Sequence, residues 1–409
     1  MMPTSEEITM RQDSGVTGWP PVGAETLEWT RRYEYGPRAA LGEHVERYSA
    51  AVPALIGRAS YTPPGDLAAE LEDAAVAVRE FDTELGAGLA PFASVLLRTE
   101  SVSSSMIENV SASARSVAMA ELGDTSKRNA ILVVDNVSAM KAALAAAEGT
   151  TAESILEMHR TLMAHSDPSE AGKWRREPVW IGTSATNPVG ADYVAPRFER
   201  VPGLIDDLVR FVRRNDIQVL GHAMLAHAQF EAIHPFADGN GRTGRALLQA
   251  ILRGKGLTRN VTVPISAGLL VNVRAYHQAL DAYRAGAPDL IVRMGSAAAF
   301  RAIENGRQLA ADIARARERW SGLVSARSDN AVWKVMDLLQ RQPVLTSRLV
   351  EAELGLARNT VWRIMGLLEE SGVVAGVDKH KMGRNWRSEE VLGALDAFAQ
   401  RAGRPGRAD

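Results

Sequence analysis

The run His234-Pro-Phe-Ala-Asp-Gly-Asn-Gly-Arg-Thr-Gly-Arg245 places an imidazole, a carboxylate, a glycine-rich turn and two guanidinium groups within twelve residues. Each type suits one task at a polyphosphate. An imidazole accepts a proton from an incoming alcohol, and a carboxylate is a hard ligand for Mg²⁺. Gly239, Gly241 and Gly244 permit close approach of backbone N–H groups to an anion. Arg242 and Arg245, three apart, share one side of a helical turn and can clamp phosphate oxygens.

Two helices must hold this run. Asn215-Asp216 precedes an apolar stripe of Ile217, Leu220, Met224 and Ala228 and is a candidate cap for the first helix. Pro235 removes a donor and disfavours the α region at the residue before it, so that helix should stop near His234. A second helix is expected from about Thr243 to Gly254, its positive end facing a bound phosphate.

The run resembles the signature of the Fic family, H-x-F-x-[DE]-G-N-G-R-x-x-R, with every specified position filled. The resemblance implies transfer of AMP from ATP to a Ser, Thr or Tyr hydroxyl of a target protein, or of the chain itself, with release of pyrophosphate. Carried onto these positions, His234 is the base, Asp238 the Mg²⁺ ligand, and Gly239, Asn240, Gly241, Arg242, Gly244 and Arg245 bind the triphosphate. The kinase-like Doc branch has lysine where this chain has Gly241, which argues against protein phosphorylation. A helix C-terminus and a triphosphate both favour imidazolium, whereas a base must start neutral; the sequence leaves that tension open.

Upstream, Ser104-Ser-Met-Ile-Glu108-Asn109 resembles the family's inhibitory motif, [ST]-x-x-x-E-[GN]. On a helix Ser104 and Glu108 share a face, and Val110 and Val117 are read as continuing an apolar stripe. The resemblance implies that Glu108 pairs with Arg245 and denies it to the γ-phosphate, the arrangement called class II when the inhibitory segment lies N-terminal to the core. Removal of AMP by the same site stays open.

Val179-Trp180-Ile181-Gly182, bounded by Pro178, is expected to form one strand of a small hairpin with Tyr193-Val194. It is either the flap that docks the target by strand addition or an ordinary loop around a core tryptophan. Asn272 and Tyr276 are candidates for the nucleotide pocket. A metal site from His222, His227 and His234 is disfavoured, since the first two point about 140° apart on a helix. His159 and His165 read as surface or packing residues.

With 409 residues, 47 basic against 49 acidic groups and a net charge of −2, global charge marks neither a nucleic-acid nor a membrane protein. No cysteine is present, which removes disulfides and thiol catalysis. No basic segment followed by an apolar run opens the chain, and a cytoplasmic protein with no membrane partner is expected.

The expected fold class is all-α: a Fic helical bundle with a β-hairpin flap, followed by a winged helix-turn-helix domain. The expected plan is a flexible arm over 1–30, an N-terminal helical region with the inhibitory helix over 31–110, the catalytic core over 111–310, a connector helix over 311–330, the winged helix over 331–400 and a disordered tail over 401–409. Arg358, Asn359, Thr360 and Arg363 would lie on the recognition helix, with a basic wing at Lys379, His380, Lys381, Arg384 and Arg387. Winged helices bind DNA or dock proteins, so the competing function is a nucleotide-sensing transcriptional regulator, and the donor could be a nucleotide other than ATP. What relieves inhibition, a partner or self-association into a homodimer, stays open.

Overall fold

A computed structural model describes residues 18–31, 44–86, 91–182, 187–327, 330–379 and 383–403. Chain order is β1 (Gly23–Arg31), β2 (His44–Val52), α1 (Gly65–Gly86), α2 (Pro91–Ile107), α3 (Ala114–Glu121), α4 (Arg128–Ala145), α5 (Ala152–Leu162), β3 (Trp180–Ile181), β4 (Tyr193–Val194), α6 (Val201–Val212), α7 (Val219–Ile233), α8 (Asn240–Gly254), α9 (Ile265–Leu270), α10 (Val273–Arg284) and α11 (Asp289–Leu323). A smaller unit follows: α12 (Ala331–Arg341), β5 (Val344–Thr346), α13 (Ser347–Leu354), α14 (Arg358–Glu370), β6 (Ala375–Lys379), β7 (Gly383–Arg387) and α15 (Glu389–Arg401). The fold is mostly helical, as expected.

Helix α7 sits at the centre because its sequence offers no polar face to water: every residue from Leu220 to Ile233 is buried. Helix α8 packs against α7, and α4, α2 and α11 close around them. Helix α2 is fixed by polar groups as well as apolar ones. Buried Glu100 accepts from the N–H and Oγ of Ser266 on α9 at 2.9 and 2.6 Å. Asn136 of α4 donates to Ser101 O and Ser105 Oγ at 2.9 and 3.1 Å. Such pairing is what permits polar side chains in this core. It also sets the axial position of Ser104 and the residues that follow.

The N-terminal arm differs from expectation. Residues 23–31 form β1, paired antiparallel with β2 over nine positions, and Trp19 is buried against Tyr61, Phe211 and Tyr283. Large aromatic area outweighs the cost of ordering a Gly/Pro-containing segment. The part of the arm before residue 18 and the tail from 404 lie outside the described residues.

Position 310 also falls inside α11, whose 35 residues span about 50 Å without a break. Ile313, Ala316 and Trp320 remain buried along it, because α12 and α15 pack on its far end. The last unit has a three-stranded antiparallel sheet in the order β5-β7-β6. It also rests on α2: Arg98 pairs with Glu121 and donates to Arg341 O and the side chain of Gln342.

Gly268 on α9 shows how closely these layers meet, since a Cβ there would lie 2.1 Å from the carbonyl oxygen of Ala298 on α11. Gly268→Ala should therefore destabilise the protein by about 2 kcal/mol or more, read as a lower urea midpoint; an unchanged midpoint would contradict this packing.

Candidate active site

Helix α7 ends where Pro235 requires, but His234 is not extended. It adopts the left-handed conformation (φ 49°, ψ 62°), and its N–H still reaches Phe230 O at 2.9 Å. This is the αL closure usually given to glycine, and a β-carbon makes it costly unless neighbours over-determine it. Two do. Arg175 Nε donates to His234 O at 2.8 Å, and Phe236 is buried between the rings of His159 (stacked, 3.6 Å) and Trp174 (5.1 Å).

His159 holds the next step of the loop. Its Nδ1 accepts from Gly172 N at 3.0 Å, so its Nε2 carries the proton and donates to Asp238 O at 3.1 Å. Asn240 is buried with both ends of its amide on the backbone of Phe236, at 2.9 Å each. It therefore shapes the loop through one N–H of its amide, and these bonds leave the other N–H unused. Gly239, at φ 78°, supplies the turn, and α8 begins at Asn240 with no side-chain cap. Its first amides are thus left for an anion.

The arginines differ sharply. Arg242 is buried, with Nη2 3.4 Å from Asp238, and neither Nε nor Nη1 has a partner. Buried N–H groups of a cation without acceptors mark a place for an anion or ordered water. Arg245 is 1% exposed and engaged on one side: Nε donates to Ser104 Oγ at 3.0 Å, and Nη2 donates to Ser104 O at 2.8 Å and to Glu108 Oε1 at 2.9 Å. Ser104 and Glu108 thus meet Arg245, Glu108 through one oxygen. Burial works to raise the Glu108 carboxyl, but the charge and hydrogen bond of Arg245 outweigh it and hold it below the usual carboxylate range.

Helix α2 stops at Ile107, so Val110 and Val117 do not continue its stripe; Val117 belongs to α3. The stop is made by Asn109 at φ 60°, with Val110 N on Ser105 O at 2.9 Å. Asparagine tolerates that conformation. The backbone thereby releases Glu108 toward Arg245. The space above Gly241 is taken by the same carboxylate: a Cβ there would sit 2.0 Å from Glu108 Oε1.

Residues 149–252 match the model of the Fic/DOC family. This chain carries a Fic/DOC domain. The Fic domain is 36% identical over 106 residues to the protein adenylyltransferase Fic of Drosophila willistoni, a stretch making up 26% of this chain and 20% of that protein. It is 36% identical over 104 residues to protein adenylyltransferase fic-1 of Caenorhabditis elegans, covering 25% and 19%. The match thus spans about a fifth of the length of these curated relatives. Among solved structures, a Fic family protein from Desulfovibrio desulfuricans G20 aligns over 80% of this chain and 98% of its own at TM-score 0.48 and 23% identity.

Around the Fic motif the other expected residues fall into place unevenly. Trp180 and Ile181 pair with Val194 and Tyr193 in a hairpin, as expected, with Val179 just before the strand and Gly182 just after it. Ile181 is 45% exposed, while Trp180 packs edge-on against Trp29 of β1. Asn272 caps α10 by accepting from Ala275 N and is exposed. Tyr276 is buried, its hydroxyl 2.6 Å from His227 Nε2. His222 reaches Phe211 O at 2.8 Å, and no metal-ligand cluster of His, Asp and Glu exists among the described residues. Helix α7 starts at Val219 without a side-chain cap, because Asp216 is engaged by Arg214 and Asn215 by Lys255. Helix α8 starts three residues earlier than expected, at Asn240.

Residues that the sequence reading missed are His159, Arg175 and Glu231. His159 reads from the sequence as a surface or packing histidine, and Arg175 only as one residue of the stretch 172–182, whose character is that of a target-binding segment. Glu231, on α7 one turn before His234, has Oε2 3.9 Å from His234 Nδ1, and burial raises its carboxyl to about 7.

Burial lowers the His234 imidazole to about 4, helped by the cationic Arg175 and Arg284. This resolves the tension over protonation: desolvation overrides the helix terminus. Burial likewise lowers His159 and His222 to about 4 and His227 to about 3. A depressed folded pKa gives stability that is present above the unfolded value near 6.5 and lost as pH falls toward 4. Glu100 and Glu231, raised by burial to about 6 and about 7, act in the opposite sense. Four histidines against two glutamates leave a net uptake of about two protons on unfolding near pH 5.5, so stability should fall by about 3 kcal/mol per pH unit there. Urea titrations at a series of pH values check this; constant stability from pH 6.5 to 5 would contradict it.

Proposed function

We propose that this chain is an autoinhibited protein adenylyltransferase, moving AMP from ATP to a Ser, Thr or Tyr hydroxyl of a target protein or of itself. The observation that carries the reading is the contrast between the arginines: Arg242 waits with buried, unpartnered N–H groups at the uncapped start of α8, while Arg245 is occupied by Ser104 and Glu108. A triphosphate supplies the acceptors that Arg242 lacks, and its outer phosphate competes with Glu108 for Arg245.

In the reaction, neutral His234 takes the proton of the target hydroxyl as its oxygen attacks the α-phosphorus. The new P–O bond forms as the bond to the β-phosphate oxygen breaks, and pyrophosphate leaves. The Gly241 amide and the Arg242 guanidinium hold the phosphates in line, and Gly239, whose own N–H is on Asp238 Oδ1 at 2.7 Å, supplies the turn that lets them approach. Gly244 keeps α8 tight on α7, since a Cβ there would lie 2.9 Å from the Phe230 ring. Asp238 fits Mg²⁺: its side chain is 70% exposed on the loop, and one carboxylate suffices when phosphates and water complete the shell. Bound there, Mg²⁺ would neutralise phosphate charge. The β3–β4 hairpin, with Ile181 outward, is the docking edge for the target segment.

The C-terminal unit belongs to the same reading as a winged-helix accessory module. Its order of helix, strand, two helices and two strands supports this, with Arg358, Asn359 and Arg363 exposed and Thr360 half-buried on α14. The wing tip, 380–382, lies outside the described residues. DNA docking on α14, a homodimer and a cytoplasmic setting complete the proposal. No helix among the described residues is long and apolar enough to cross a membrane.

Glu108→Gly should raise auto-modification about tenfold or more, the value of a charged hydrogen bond to Arg245. Adding His234→Ala should then lower it by roughly 10²-fold or more. Mass spectrometry for added AMP reads both; equal labelling in wild type, single and double variants would refute the assignment.

A further inference from the structure

Arg175 is 2% exposed and is the most completely committed cation near His234. Its Nε donates to His234 O at 2.8 Å, its Nη1 to Glu177 O at 3.1 Å and its Nη2 to Pro196 O, while its own N–H reaches Pro235 O at 3.0 Å. Every one of these acceptors is a backbone carbonyl. A buried guanidinium with no carboxylate among its partners is costly to retain for stability alone. Its planar fork, however, fixes three directions at once.

The three carbonyls belong to different segments. His234 closes α7, Glu177 leads into β3, and Pro196 leaves β4, where Ala195 N also reaches Val179 O at 2.9 Å. His234 is held in a left-handed conformation by its N–H on one side and by this guanidinium on the other. We propose that Arg175 is the positioning residue of His234, joining the base and both ends of the flap hairpin into one rigid unit so that a docked hydroxyl meets the imidazole in register.

The inference rests on the adenylyl-transfer reading above. It predicts that the carbonyl clamp, not bulk, matters. Lysine keeps the charge but cannot meet three carbonyls from one planar group, and methionine keeps volume without either. The charged groups that act on His234 are Arg175, Arg284 and Glu108, with the titratable Glu231 3.9 Å away, so losing Arg175 also removes one of the two cations that favour the neutral ring.

The test uses the full chain carrying Glu108→Gly as parent, with Arg175→Lys and Arg175→Met added. Both should lower kcat for AMP transfer on the order of 10²-fold, as expected for a base displaced by about 1 Å, with KM for ATP changed less than about threefold. The His234 imidazole, followed by NMR, should titrate at higher pH in Arg175→Met and not in Arg175→Lys. Retention of kcat within a few-fold, or kcat and KM worsening together in step with a lower folded fraction, would overturn the proposal. Should Arg175→Met fail to fold, the kcat-against-KM split in Arg175→Lys decides. Should the parent itself transfer no AMP, the adenylyl-transfer reading fails, and the NMR shifts of the His234 ring and backbone decide the clamp: displacement in both Arg175→Lys and Arg175→Met supports it, and unmoved signals in Arg175→Lys overturn it.

Discussion

Arg245 is a charge that cannot return to water. At 1% exposure its guanidinium must be answered by acceptors inside the protein or by a ligand that takes their place. In this structure the answer comes from Ser104 and Glu108, and much of the N-terminal half serves to deliver them. Helix α2 is locked by Glu100 on Ser266 and by Asn136 on Ser101 and Ser105, so Ser104 arrives at a fixed height beside α8. Asn109 then turns the chain and frees Glu108 to reach across. A contact made this way is specific without being permanent. Ser104 is wholly buried, but the Glu108 side chain is 40% exposed, so a competing anion can displace it while the serine stays.

The other half of the site is set by exclusion of water. Phe236, stacked on His159, plugs the loop from below, and Asn240 ties that plug to the start of α8. The same burial that shapes the loop keeps His234 neutral against the pull of its helix terminus, and raises the carboxyl of Glu231 beside it to about 7. Structure and protonation are therefore one property here.

Much of this was legible in the sequence, for identifiable reasons. The motif and the Ser104–Glu108 pair were legible through resemblance to the Fic family, the helices on either side through residue types at helical spacing, and the short hairpin through Pro178 and two brief apolar runs. What escaped depends on distant partners. Nothing local distinguishes His159 from a surface histidine, because its role comes from Phe236 and Asp238, some eighty residues on. Arg175 reads as one residue of the stretch leading into the hairpin until the carbonyls of His234 and Pro196 appear around it. Asn240 reads as a phosphate ligand from the signature, and its second task, tying the loop through the backbone of Phe236, depends on a fold that the motif does not spell out. The arm was taken as flexible since Trp19 finds its aromatic neighbours only in α6, α10 and the segment before α1.

On the function proposed here, Glu108 and a nucleoside triphosphate compete for the one guanidinium of Arg245. A double-mutant cycle on the affinity for a non-hydrolysable ATP analogue with Mg²⁺, measured by calorimetry, isolates that coupling. Glu108→Gln should tighten binding about tenfold when Arg245 is present and have no effect when Arg245 is replaced by methionine. Equal tightening in both backgrounds would show that Glu108 acts elsewhere, and the account would be wrong.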